Sequence, residues 1–359
     1  MSTTMPNGTQ TPPNPDDYAI VVGIDAYPQL RRLQAARSDA RRFAAWLIDP
    51  EGGGLPSANV RIVESAAIPA DPFDARPIQR DIDRHLRDFG VERRKRIGRR
   101  LYFYFAGHGF GPTFDDVGML MADAAMERLE SNIGLRHYLV FFHDLELFDQ
   151  VVFILDCCRD PMRGASTAKP VFTLQPPAGG VPRVERYVVL AAAYGEKAFE
   201  PRSQGGERRG VLTSALMEAL QGSAANARGE VTATSLREYL KVRVPEIASE
   251  ANLKQGPEIP YLPDLVLCTV PPARLPRVRV RILVPNGLTG EMILRDGTDL
   301  AEIGRRSARD AASDRPPWEV DLVLNSRYQV EHTDSAMVMV LDPRKFKDGN
   351  HVYRIPRPE

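Results

Sequence analysis

Two stretches decide the reading: LYFYFAGHGFG, residues 101–111, and VVFILDCCRD, residues 151–160. Leu101 to Phe105 has the aromatic, apolar character of a buried strand, and Gly107 and Gly109 end the run around His108. Val151 to Leu155 is a second continuous apolar run. Asp156-Cys157-Cys158-Arg159-Asp160 follows it without a helical pattern. Each strand therefore carries a reactive side chain at its carboxyl end. Parallel neighbours in an open α/β sheet open those ends onto one crevice, where such sheets place their sites. A histidine and a thiol then face one another.

The flanking chain supplies the rest of such a sheet. Tyr18 to Ile24 reads as a buried strand, Ala35 to Ile48 as a helix with Ala36, Ala40, Phe43 and Leu47 on one face, and Val60 to Val63 as a short strand. A second amphipathic helix is expected over 77–89. This alternation predicts a mostly parallel sheet with right-handed crossovers. Phe114 to Asp123 reads as a small hairpin, and Ser131-Asn132 as the cap of a helix reaching Leu147. Tyr187 to Ala193 is the next strand, Val211 to Leu220 and Ala233 to Pro245 are helices, and Leu262 to Cys268 is a closing strand. After a Pro-bearing linker at 269–276, Arg277 to Val284, Glu291 to Leu294, Glu319 to Leu324, Tyr328 to Glu331 and Met337 to Leu341 alternate with period two. The expected division is a disordered leader at 1–16, an α/β unit at 17–269 and a small all-β, sandwich-like C-terminal domain at 276–359.

In order and on strand ends, the GHG turn and the D-C-C-R turn fifty positions later resemble the caspase-like cysteine peptidases (peptidase C14), and within them the bacterial metacaspase- or orthocaspase-like members. YVVLAAAYGEKAFE (187–200), GVLTSALMEAL (210–220) and QGPEIPYLPDLVL (255–267) resemble the later half of the same family, so the likeness covers about residues 16–268. It implies a caspase-like α/β/α sandwich and a cysteine endopeptidase. A free thiol has a pKa of about 8.5, so a neighbouring imidazole is its usual activator. His108 is the general acid/base. In the family's D-x-C pattern the nucleophile lies two after the aspartate, which is Cys158, with Cys157 a buried neighbour because adjacent side chains on a strand point opposite ways. The backbone N–H groups of Gly109 and Cys158 are the oxyanion donors by resemblance. No third member of the triad is named by the sequence.

The resemblance also implies a specificity. Metacaspase-like members hold Arg or Lys with acids, and Asp156 and Asp39 match them. Ala36 and Ala106 depart from the family at positions that are often Cys and Ser. Losing a guanidinium paired with buried carboxylates costs roughly 2–5 kcal/mol, at least about thirtyfold in selectivity. The long Pro- and Gly-rich loop after Cys158 carries Arg163, Lys169, Arg183 and Arg186, the candidate positions for processing by the chain itself or by an upstream protease. Arg202 to Arg209 is a second such loop. Calcium dependence, seen in many metacaspases, has no support here: Asp115, Asp116 and Asp123 form no oxygen-ligand pattern such as an EF-hand loop.

Two other classes compete. Cys157 and Arg163 satisfy the C-x5-R spacing of a phosphate-cradling loop, but the interval lacks glycine and puts Asp160 where an anion must sit. A non-catalytic adaptor that keeps the fold as a binding platform is the other alternative. The composition bounds the rest. The 359 residues are 43% hydrophobic and 26% charged, and 47 Lys plus Arg balance 47 Asp plus Glu. Nothing global asks for nucleic acid or membrane, and the basic run at 92–100 reads as a solvated loop before a strand. Three cysteines, two of them adjacent, make neither a disulfide framework nor a zinc site. The expectation is a cytoplasmic protein acting on protein substrates without a cofactor, with the β domain receiving an activator or regulator.

Overall fold

A computed structural model of the chain describes residues 13–176, 183–202, 206–226, 228–297, 300–311, 316–324, 326–346 and 351–356. The elements before the first sheet closes are β1 (Asp17–Gly23), α1 (Ala36–Ile48), β2 (Val60–Glu64), α2 (Gln79–Phe89) and β3 (Gly98–Ala106). They are followed by β4 (Gly109–Gly111), β5 (Gly118–Leu120), β6 (Asn132–Gly134), α3 (Leu135–Leu145), β7 (Phe148–Asp156), β8 (Asp160–Pro161) and β9 (Glu185–Leu190). The main sheet has the order β2-β1-β3-β7-β9, and every pair in it is parallel.

Side-chain alternation along β3 explains the layers. Tyr102 and Tyr104 point to one face, where Phe43 of α1 stacks on Tyr104 at 4.8 Å. Phe103 and Phe105 point to the other, and Phe103 meets Phe153 of β7 and Tyr138 of α3. Ile82 and Leu86 of α2 join that second cluster, all fully buried. Both faces of the strands are therefore apolar, which is why they read as continuous runs rather than alternating ones.

The described residues divide into two compact units, residues 1–217 with 237–265, and residues 218–236 with 266–359. Helices α4 (Val211–Glu218) and α5 (Ala233–Glu250) span the points of division. In the second unit β10 (Glu230–Thr232) pairs antiparallel with β11 (Val266–Thr269). The strand expected at 262–268 thus begins later and joins β10, not the parallel sheet. The remainder forms two sheets. One has the order β15-β12-β18, from β12 (Arg277–Leu283), β15 (Trp318–Val323) and β18 (Val352–Arg354). The other has the order β14-β13-β16-β17, from β13 (Glu291–Asp296), β14 (Glu302–Ser307), β16 (Tyr328–His332) and β17 (Met337–Leu341).

Several local expectations change. Asn132 lies in β6, not at a helix cap, and α3 starts after Gly134. α5 continues through Pro245 to Glu250, with this proline on the exposed side of the helix. Much of the expected leader, residues 1–12, lies outside the described residues. Asn14 is held, with its side chain donating to the Gly53 carbonyl at 2.8 Å and accepting from Arg99 at 2.8 Å. The basic run is half internal: Arg99 pairs with Asp17, and buried Arg100 donates to Gln150 and Tyr102.

Candidate active site

The register of the parallel sheet sets the site. Ala106 on β3 lies opposite Asp156 on β7, so the chain leaves both strands at one level. Neighbouring strands run about 4.8 Å apart. His108 and Cys158, each two residues beyond, line one cleft of about 560 Å³ at the carboxyl edge.

The glycines of the GHG turn are explained by what lies against them. A Cβ on Gly107 meets the Tyr27 hydroxyl at 2.6 Å, and one on Gly109 meets the Cys157 sulfur at 2.6 Å. Tyr27 can therefore reach under the turn. Its hydroxyl accepts from the His108 N–H at 2.9 Å and donates to the Leu120 carbonyl at 3.2 Å, and its ring packs on the imidazole at 4.8 Å. His108 Nε2 lies 2.6 Å from the Arg31 carbonyl oxygen. A carbonyl only accepts, so Nε2 carries the proton and Nδ1 of the neutral ring holds the lone pair. This backbone carbonyl is the orienting group that no side-chain motif announces.

Cys157 is buried beneath Gly109, and burial pushes its thiol well up. Cys158 is half-buried and lines the cleft. Its sulfur accepts from the Ala198 N–H at 3.4 Å. Burial raises the Cys158 thiol pKa, the Ala198 N–H opposes it, and Asp160 and Asp156 add to it. Burial lowers His108, against the Arg31 carbonyl and Glu200, which raise it. Both shifts favour the neutral forms, thiol and imidazole alike.

Asp39 on α1 and Asp156 at the end of β7 both line the same cleft, 1% and 8% exposed. Asp39 Oδ2 accepts from the Gly210 N–H at 2.7 Å; Asp156 Oδ2 accepts from the Thr213 N–H at 3.0 Å and its hydroxyl at 2.7 Å. Asp39 Oδ1 is buried without a hydrogen bond, with Arg42 3.7 Å from it. Desolvation pushes the Asp39 carboxyl up to about 7 and Asp156 up to about 6, and the two acids oppose each other's charge at Asp39. Glu200 also lines the cleft, a residue the sequence reading passed over. Its carboxylate accepts from the Ala35 N–H at 2.8 Å and the Gln34 N–H at 3.0 Å, at the start of α1, where a negative charge is favoured. Its partners lie about 165 positions away, so no local pattern reveals it.

Gly109 lines the cleft beside Cys158. Of the basic residues after Cys158, Arg163, Lys169 and Arg183 are exposed, and Arg186 is half-buried within β9. Among the described residues no cluster of three His, Cys, Asp or Glu side chains is placed to hold a metal ion. Asp116 and Asp123 serve internal bonds: Asp116 accepts from the Val117 and Arg136 N–H groups, and Asp123 from Ser131. No helix among the described residues is long and apolar enough to cross a membrane.

With this geometry in place, the family comparison is direct: the caspase domain model of peptidase C14 matches residues 16–262. The chain belongs to the caspase-domain family. Membership points to a cysteine peptidase. A probable protease from a Desulfuromonadales bacterium is 27% identical over 220 residues, 58% of this chain and 26% of that protein. The chain thus spans about a quarter of the length of that relative. Two solved structures, caspase-1 from Spodoptera frugiperda and a protein from Geobacter sulfurreducens, each align at 13% identity with a TM-score of 0.45. They cover 76% and 72% of this caspase-domain chain and 98% of their own.

Proposed function

We propose that this caspase-domain protein is a cysteine endopeptidase cutting after Arg or Lys, with Cys158 as nucleophile and His108 as general acid/base. The observation that carries the reading is one cleft shared by a thiol, an imidazole and two buried carboxylates, one with an oxygen left without a hydrogen bond. Buried carboxylates favour a cationic partner, and an incoming guanidinium offers planar donors that match them.

The chemistry follows from the tautomer. Nδ1 takes the thiol proton as Cys158 Sγ attacks the scissile carbonyl, and the N–H groups of Gly109 and Cys158 hold the oxyanion. The imidazolium then returns that proton to the leaving amine, which departs and leaves a thioester. His108 next deprotonates a water that attacks the thioester, freeing the new carboxyl end and the thiol. The Arg31 carbonyl holds the ring in place and stabilises the imidazolium in both halves.

The finer assignments belong to the same proposal. Cleavage in the loop after Cys158 frees the site, the β unit at 276–359 receives a regulator, and the setting is bacterial signalling or defence in the cytoplasm. Hydrolysis of fluorogenic peptides with Arg, Lys, Asp or Ala before the bond tests it, with and without calcium, on wild type and Cys158→Ala. Expected is cleavage after Arg and Lys, abolished in Cys158→Ala. Preference for Asp overturns the roles of Asp39 and Asp156. Silence from a deliberately nicked enzyme turns the reading to an adaptor.

A further inference from the structure

The acids occupy one half of the cleft. The other half, taken from the Arg31 carbonyl that holds His108, is mostly apolar, lined by Leu30, Leu33, Met126, Leu129 and Met162, with Glu200 bordering it at Gln34 and Ala35. Leu30, Leu33, Leu129 and Met162 rest against the main core, so their positions are fixed by packing. Arg128 ties the two walls together. Its guanidinium donates to Gln29 at 2.9 Å and lies over the Phe73 ring at 4.0 Å, joining the turn that carries Met126 and Leu129 to the loop that carries Leu30. Met126 is 56% exposed although it lines a cleft. A large apolar side chain is thereby left open to solvent in the wall of the cleft.

Resting on the endopeptidase reading above, we propose that this half is a subsite for an apolar side chain on the residue that follows the scissile bond. His108 must protonate the leaving amine, so the departing chain has to pass beside the imidazole, on the side away from the acids that hold the preceding basic residue. The first side chain of that departing segment meets Leu30, Leu33 and Met126. The Arg31 side chain, exposed and also lining the cleft, disfavours a basic residue there.

The subsite discriminates among the chain's own basic positions. Arg163 is followed by Gly164, and Lys169 by Pro170, whose φ is fixed and which has no N–H. Arg186 is followed by Tyr187, fully buried in β9 and paired with β7. Arg183, exposed, is followed by Val184. Of these four bonds, Arg183–Val184 is the one that presents a basic residue, then an apolar one, outside a strand.

The test uses peptides with Arg fixed before the bond and Leu, Met, Val, Gly, Ser, Asp or Lys after it. They are read by turnover on the wild-type chain and by binding to Cys158→Ala. Apolar residues are expected to lead Gly, Asp and Lys by about tenfold or more in kcat/KM, within the range an apolar pocket gives. Met126→Lys, at an exposed position that folding tolerates, is expected to shift the Asp-to-Leu ratio at least fivefold toward Asp. Equal turnover across the series, or an unmoved ratio in Met126→Lys, overturns the subsite. If no Arg peptide is cut, the binding series decides: apolar preference keeps the subsite while the peptidase reading falls, and flat binding overturns both.

Discussion

His108 donates through Nε2 to the Arg31 carbonyl oxygen at 2.6 Å, and this bond leaves the lone pair of the neutral ring on Nδ1. Burial lowers the imidazole pKa and raises that of Cys158. The base is therefore available below the pH at which an ordinary histidine protonates, and the thiol does not ionise on its own near neutrality. We expect kcat to hold as pH falls through about 6.5, the ordinary imidazole value. Alkylation of Cys158 by iodoacetamide, followed by intact mass, should accelerate only as pH rises above the ordinary thiol range. A low-pH plateau in alkylation is the signature of a thiolate–imidazolium pair and contradicts this.

Asp39 and Asp156 give a different pH signature. Their folded pKa values, about 7 and about 6, lie above the unfolded carboxylate value. The stability they contribute is complete below about pH 4 and is lost as pH rises through 6 to 7. Asp39→Asn should therefore raise the melting temperature at pH 8, by the equivalent of about 4 kcal/mol at about 1.4 per pKa unit, and change little at pH 4. The same substitution should cut kcat/KM for Arg peptides at least thirtyfold. In the wild type KM for Arg peptides should rise as pH falls from 7 to 6, while kcat does not. Thermal melts and steady-state kinetics across that window check both.

Gly210 fixes the spacing of these acids. Its N–H holds Asp39, and a Cβ there lies 2.2 Å from Asp156 Oδ2 and 3.1 Å from Asp39 Oδ2. Thr213 holds the Asp156 oxygen and the Gly210 N–H itself holds that of Asp39, so neither can retreat without losing a bond. Gly210→Ala should raise KM for Arg peptides about tenfold or more while Cys158 stays as reactive to iodoacetamide as in wild type. An unchanged KM removes Gly210 from the specificity machinery.

What the sequence makes legible is the part that repeats locally. The runs at 101–105 and 151–155 announce β3 and β7 because strands buried on both faces have no polar side to interrupt them. The spacing of Ala36, Ala40, Phe43 and Leu47 likewise announces α1. What it hides depends on distant partners. Asn132 has the composition of a cap, yet its buried side chain accepts from the Ala168 N–H and donates to the Ser166 carbonyl, over 30 residues on. Glu200 and the Arg31 carbonyl are silent for the same reason. Strands β14 and β18 lack the alternating apolar face that would mark them: Glu302, Ile303 and Arg305 are exposed on β14, and β18 is three residues long.

Arg159, directly after Cys158, anchors the turn from beneath. Its guanidinium is 1% exposed and donates to the Phe114 carbonyl and to Glu258, both at 2.5 Å. Truncating it removes a buried guanidinium together with its bonds to Glu258 and the Phe114 carbonyl. Arg159→Ala should cost about 3 kcal/mol in urea unfolding. Glu258→Gln should cost well under half of that, because Glu258 is 39% exposed and its charge is screened. Equal losses contradict a role centred on the arginine.

The stretch Ser166 to Phe172 of the loop after Cys158 is already bound to the body. Besides its bonds to Asn132, Thr167 donates to Asp116 at 2.7 Å, Val171 to Asp83 at 3.2 Å, and Phe172 stacks on Phe141 at 5.7 Å. Gln79 holds the Lys169 carbonyl, and the Gly134 N–H holds that of Ala168. Amides engaged this way exchange only when the segment opens. Hydrogen exchange should therefore show the Ala168 and Val171 amides protected before and after nicking at Arg183. Asn132→Ala leaves the partly buried Ser166 carbonyl and Ala168 N–H without these partners, at about 1–3 kcal/mol, so exchange at Ala168 should quicken at least about fivefold. Loss of protection on nicking alone shows that the rearrangement of the loop begins at Ser166, before the exposed Arg183.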